Sequence, residues 1–139
     1  MNLDNRVFFD SQISMNPIVD KKIAVIGYGN QGRAQACNLQ DSNIDVLVGL
    51  RPNSSSCEKV KKDGLKYTDI DTAISSCDIL ALMIPDNQID IFILKNLSKL
   101  RKNHTILLSH GYSIIYGKAN IPNYINVIMV APSGGGKVV

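Results

Sequence analysis

The chain has little of what membrane-spanning, metal-cluster and secreted proteins need. No apolar run approaches the roughly 20 residues of a membrane helix, so no span is expected. The N-terminal stretch MNLDNRVFFDSQISMN is polar and carries acids, which excludes a signal peptide. Cysteine is sparse. Cys37, Cys57 and Cys77 are odd in number, far apart and without a CxxC pair. Neither a zinc site nor a disulfide framework is therefore expected, and a reduced, cytoplasmic protein is the default. Glu58 is the sole glutamate, and no Asp or Glu follows Asp90, while lysines and arginines continue to Lys137. Those bases read as solvated surface. Magnesium asks for hard oxygen donors, usually carboxylates, and this distribution leaves the chain no metal site. The net charge of +3 is too weak and scattered for nucleic acid, although it suits a small anionic ligand.

What is present is ordinary globular material: 139 residues, the length of one domain, with 45% hydrophobic and 19% charged residues. Lys22 to Tyr28 reads as a buried strand, and the Ala- and Gln-rich segment Asn30 to Leu39 as a helix. Further strands are expected at Asp45 to Leu50, weakly at Leu65 to Tyr67, at Asp78 to Ile84, Thr105 to His110, and Asn126 to Ala131. Helices are expected from Ser55 to Asp63, Asp69 to Ser76, and Asn87 to Leu100, the last from Ile89, Ile93, Leu97 and Leu100 on one face. Near-continuous apolar strands alternating with helices predict an α/β domain of Rossmann type. Its doubly wound, mostly parallel sheet should be covered by helices on both faces. There is no internal repeat. Ser133-Gly134-Gly135-Gly136 has linker composition, and the Gly134–Lys137 tail is no P-loop, because Val138 and Ala131 stand where Ser/Thr and glycine are needed.

Gly27-Tyr28-Gly29-Asn30-Gln31-Gly32 is a GxGxxG that closes the first strand and opens the first helix, the context its mechanism requires. Gly27 would permit the tight turn, Gly29 would let a pyrophosphate approach the backbone, and Gly32 would let helix pack closely on strand. The helix N-terminus then offers free N–H groups and a positive dipole end to phosphates.

The tip of the second strand separates two cofactors. NAD-binding domains usually carry an acid there, which accepts from the ribose hydroxyls. This chain has Gly49-Leu50-Arg51, followed by Ser54, Ser55 and Ser56. Arginine pairs with a 2′-phosphate and serine donates to its oxygens, so NADP(H) is expected. One serine has a competing role, because Ser55 and Glu58 have the spacing of a helix capping box. His110 ends an apolar strand before a glycine, at the carboxyl edge where open α/β sheets bind ligands. It could pass protons there, or simply cap the strand. His104, in the basic loop with Arg101 and Lys102, is expected at the surface.

With these residues in view, the chain resembles the N-terminal domain of ketol-acid reductoisomerases. The resemblance rests on KKIAVIGYGNQGRAQACNL, VLVGLR with its serines, SHGYSI, and NVIMVAPSGGG, in that order. Arg6-Val7-Phe8-Phe9-Asp10 adds the short stretch these enzymes carry before the first strand. The family implies an NADPH- and magnesium-dependent reaction of branched-chain amino acid biosynthesis. A 2-acetohydroxy acid undergoes an alkyl shift and is reduced to a 2,3-dihydroxy acid. By motif, Gly27, Tyr28, Gly29, Asn30, Gln31 and Gly32 would hold the pyrophosphate, and Arg51, Ser54 and Ser56 the 2′-phosphate. Pro85-Asp86-Asn87-Gln88 resembles the family's segment beside the cofactor, with Pro85, Asp86 and Gln88 as candidates, and His110 matches its active-site histidine.

The chain departs from the family's pattern at Ser133, where the APKGPG motif has lysine, and at Ser113, where asparagine is usual. The family's helical second domain, which carries its magnesium ligands, is not in the sequence. The expected partners are thus a dinucleotide and either a separate helical domain or a second copy of the chain. A stand-alone NADP-binding sensor or partner module is a second reading, and a small reductase that completes its site by dimerisation a third.

Overall fold

In the computed structural model, residues 9–118 and 120–131 are described. Arg6 to Phe8 and the tail with Ser133 lie outside them. The elements run in chain order as α1 (Asn16–Val19), β1 (Lys22–Ile26), α2 (Asn30–Asp41), β2 (Asp45–Leu50), α3 (Cys57–Lys62), β3 (Lys66–Asp69) and α4 (Ile70–Ser76). They continue as β4 (Ile79–Leu82), α5 (Asp86–Asn96), β5 (Thr105–Leu108), α6 (Tyr112–Ile115) and β6 (Asn126–Met129). All strands pair in parallel in one sheet of order β3-β2-β1-β4-β5-β6. This is the doubly wound α/β arrangement, and the strand order reverses between β1 and β4, where such sheets open a crevice at their carboxyl ends.

The period of two along β1 explains the two cores. Ile23 and Val25 point to one face, where Ala36 of α2 and Val60 of α3 meet them. Ala24 and Ile26 point to the other, where Ala73 and Ile74 of α4 and Ile89, Phe92 and Ile93 of α5 pack. Each Val, Ile or Phe among them contributes about 1.5–3 kcal/mol by burial, and each alanine less, which fixes the register of the central strands.

Helices pack on both faces of the sheet, and at its edge β6 leaves Val127, Ile128 and Met129 exposed. Other expectations need correction. Helix α5 stops at Asn96 and tightens into a 3-10 turn over Leu97–Lys99. The buried Asn96 donates its side-chain amide to the Phe92 carbonyl at 2.8 Å, a local bond that competes with the helical ladder. The Ser55–Glu58 capping box does not form. Ser56 occupies the cap position of α3 without a side-chain cap bond, and Glu58 pairs with Lys61 instead.

His104 is likewise not a surface residue; it is 1% exposed. Its Nδ1 accepts from the Arg101 backbone N–H at 3.2 Å. The Arg101 guanidinium donates to the carbonyls of Ile74, Ser75 and Cys77, so the loop is pinned to the end of α4. Burial first, and the Arg101 charge second, push the imidazole below its ordinary value, with Asp78 opposing weakly. The folded state therefore holds His104 neutral, while the unfolded chain takes up a proton near pH ~6.5. Its contribution to stability is complete above that pH and is lost as pH falls through the folded-state value. We expect the melting temperature to drop between about pH 7 and about pH 5, and His104→Phe to flatten that slope. An unchanged slope in the variant would assign the drop to other groups.

Candidate functional site: a dinucleotide cleft at the strand reversal

A cleft of about 900 Å³ opens over the carboxyl ends of β1, β2 and β4. The β1–α2 turn forms its floor, and each glycine has its own reason to be there. Gly27 has φ +95°, and a Cβ on it would lie 2.7 Å from the Met83 carbonyl oxygen. At Gly32 a Cβ would lie 2.3 Å from the Gly27 carbonyl oxygen, so α2 crosses the turn in direct backbone contact. Gly29 differs: a Cβ there would meet nothing within 4 Å. Its open side leaves the approach that an anion needs to reach the N-terminal amides of α2. Asn30 begins the helix with Gly29 as its cap residue and no side-chain cap bond, so those amides are not already satisfied by a cap side chain. Gln31 follows, its Oε1 buried and without a hydrogen-bond partner among the described residues.

Tyr28 contributes backbone rather than side chain to this turn. Its ring is buried, and its hydroxyl donates to Asp63 Oδ2 at 2.9 Å. Arg33 grips the same carboxylate through Nε at 2.7 Å and Nη2 at 2.8 Å. The Arg33 guanidinium holds the Asp63 carboxyl down at about 2, and burial with the Asp63 bond pushes the Tyr28 phenol up. One carboxylate at the end of α3 thus fastens the glycine turn and the first turn of α2. Sequence reasoning missed Asp63, because nothing local marks it.

The far wall of the cleft is polar. Arg51, Ser54 and Ser56 line it together. Ser54 Oγ accepts from the Ser56 N–H at 3.3 Å, which leaves its own hydroxyl proton free to donate outward. Arg51 is exposed and has no carboxylate partner within ion-pair distance among the described residues. Ser55 is exposed and does not line the cleft. Pro85 and Gln88 line it from the start of α5, and Asp69 and Asp71 from the β3–α4 corner.

His110 and Asp86 stand beside the cleft rather than in its wall. Asp86 Oδ2 lies 3.7 Å from His110 Nδ1, and Nδ1 accepts from the Tyr112 N–H at 3.1 Å. In neutral His110 that contact leaves the proton on Nε2. Buried Ser113 donates to the Asp86 carbonyl at 3.3 Å, and Asp90 Oδ2 accepts from the Lys118 N–H at 2.7 Å. These bonds dock the loop after His110 onto α5. Ser113 therefore has a structural partner of its own.

Comparison with known proteins accounts for this arrangement. Residues 17–139 match the family described as acetohydroxy acid isomeroreductase, NADPH-binding domain. The chain belongs to that family. Among curated relatives of this isomeroreductase domain, a ketol-acid reductoisomerase (NADP(+)) of Methanocaldococcus jannaschii is 44% identical over 135 residues, 96% of this chain and 41% of the relative. That of Methanothermobacter thermautotrophicus is also 44% identical over 135 residues, with the same 96% and 41% coverage. The chain thus spans about two fifths of the length of the curated relatives it matches. A solved NADH-preferring ketol-acid reductoisomerase from an uncultured archean superposes with a TM-score of 0.86 at 33% identity, covering 93% of this chain and 41% of that one.

No group of three or more His, Cys, Asp or Glu residues placed to hold a metal occurs among the described residues. The same residues include no helix long and apolar enough to cross a membrane.

Proposed function

We propose that this chain binds NADP(H) as the cofactor-binding part of a ketol-acid reductoisomerase, which turns a 2-acetohydroxy acid into a 2,3-dihydroxy acid. The observation that carries the reading is one cleft with two anion-receiving ends. At one end Gly29 leaves the α2 amides open; at the other stand Arg51, Ser54 and Ser56. Open backbone amides suit a pyrophosphate, and a cation with two hydroxyls suits a 2′-phosphate. The bound nicotinamide supplies the hydride. Gly27, Gly29, Asn30, Gln31, Gly32 and the Tyr28 backbone hold the pyrophosphate, and Pro85 and Gln88 flank the dinucleotide. His110 carries a proton at Nε2, with the Tyr112 N–H on Nδ1 setting the orientation of its ring.

Metal ligands would come from a helical domain like the one the family carries. The free thiols of Cys37, Cys57 and Cys77 suit a reducing cytoplasm.

Titration of NADPH fluorescence against the chain should show a Kd well below about 1 mM, within the usual range for enzyme ligands. Failure to bind would remove the proposal. With 2-acetolactate and magnesium the chain alone should consume no NADPH; turnover of ~1 per second or more would place the metal site within it.

A further inference from the structure

The sequence puts no acid at the tip of β2, but the fold brings one in from the neighbouring strand. In the parallel pairing of β2 with β3, Leu50 stands opposite Asp69. Asp69 therefore ends its strand beside the residue that precedes Arg51, and both line the same cleft with Ser54 and Ser56. Its carboxylate is fixed. Oδ1 accepts from the Thr72 N–H at 2.9 Å and Oδ2 from the Thr72 hydroxyl at 2.7 Å, as the N-cap of α4. Those bonds favour the charged form and hold the carboxyl below its ordinary value. Asp71, the other acid at this corner, is paired with Lys99 at 2.5 Å. Asp69 has no cation within ion-pair distance among the described residues.

We propose that Asp69 is a specificity-determining residue of the cleft, which opposes the 2′-phosphate that Arg51 attracts and so keeps the site open to NADH. This rests on the dinucleotide reading above. A phosphate carries up to two negative charges at neutral pH, and a fixed carboxylate nearby repels it through a partly hydrated path, whereas two ribose hydroxyls feel little net force. The carboxylate can also accept from those hydroxyls, the role that the acid at the second strand tip plays in NAD-binding domains. Arg51 and Asp69 thus set the preference together, from two strands.

The test is Asp69→Asn, because asparagine caps helices about as well as aspartate and α4 should stay folded. The Kd of NADPH and of NADH would be measured by fluorescence titration for wild type, Asp69→Asn and Asp71→Asn. Asp69→Asn should tighten NADPH about threefold or more relative to NADH, with the gain shrinking as salt rises. Asp71→Asn should move the ratio less, since Lys99 already offsets that charge. A ratio unchanged in Asp69→Asn with an unchanged melting temperature would overturn the proposal, as would an equal shift in Asp71→Asn. Wild type that binds neither cofactor would overturn the dinucleotide reading itself. Should Asp69→Asn melt early, Asp69→Ser, another capping residue without charge, must show the same shift for the proposal to stand.

Discussion

Gly32→Ala is expected to cost the chain both its stability and its dinucleotide. The added methyl would lie 2.3 Å from the Gly27 carbonyl oxygen and 3.2 Å from Met83 Cβ. Neither can yield easily: one is backbone in a turn with φ +95°, the other belongs to the segment following β4. Forcing apart a packed core usually costs about 1–3 kcal/mol, and for a domain of this size each kcal/mol moves the melting temperature by roughly 2–8 °C. Because the separation shifts the α2 amides away from the turn, NADPH affinity should fall by about 10-fold or more, each 1.4 kcal/mol being tenfold. Gly29→Ala is the informative partner. Its backbone is extended, with φ −77°, a conformation alanine accepts, and its Cβ would meet nothing. Its melting temperature should hold while NADPH weakens, because the methyl occupies the approach to the amides. Equal losses of stability in the two variants would show that Gly29 is structural and that its open side receives no anion.

Arg51→Asp should weaken NADPH by at least ~10-fold and leave NADH nearly unchanged or improved. A charge-assisted bond to a phosphate is worth roughly 1.5–3 kcal/mol, and the substitution adds repulsion to the lost pair. NADH lacks the 2′-phosphate, and the new carboxylate can accept from its ribose hydroxyls. Ser54→Ala and Ser56→Ala should act in the same direction with smaller effects. Because Arg51 is exposed, the preference for NADPH should also narrow as salt rises. Both dissociation constants, measured for wild type and variant, decide the matter. If the two cofactors weaken together, the effect is on folding or general binding, and Arg51 has no special tie to the 2′-phosphate.

The parts of the fold legible beforehand were those whose signal is local. The apolar runs at Ile23 to Ile26 and Ile79 to Leu82 could be strands only if buried on both sides, and both are. The weak strand expected at Leu65 to Tyr67 was legible as well, although it runs from Lys66 to Asp69 and so takes in the residue expected to open the next helix. Errors collected where a side chain settles its bonds at long range. Basic neighbours made His104 look like surface, yet Arg101 turns its charge onto carbonyls at the end of α4 and leaves the imidazole inside.

The same division runs through the site. The sequence by itself determined the glycine turn, because a positive φ at Gly27 and the missing Cβ at Gly32 are demands of single residues on their immediate backbone. It also determined that a cation and hydroxyls follow β2. Only the tertiary structure decided what surrounds them. It turned the Tyr28 hydroxyl away to Asp63, set Asp86 beside His110, and placed Asp69 across from Leu50. The reason is geometric: parallel strands align their ends only after helical crossovers, so residues far apart in sequence meet at the carboxyl edge. Which acid stands near Arg51 is then a matter of strand order and register.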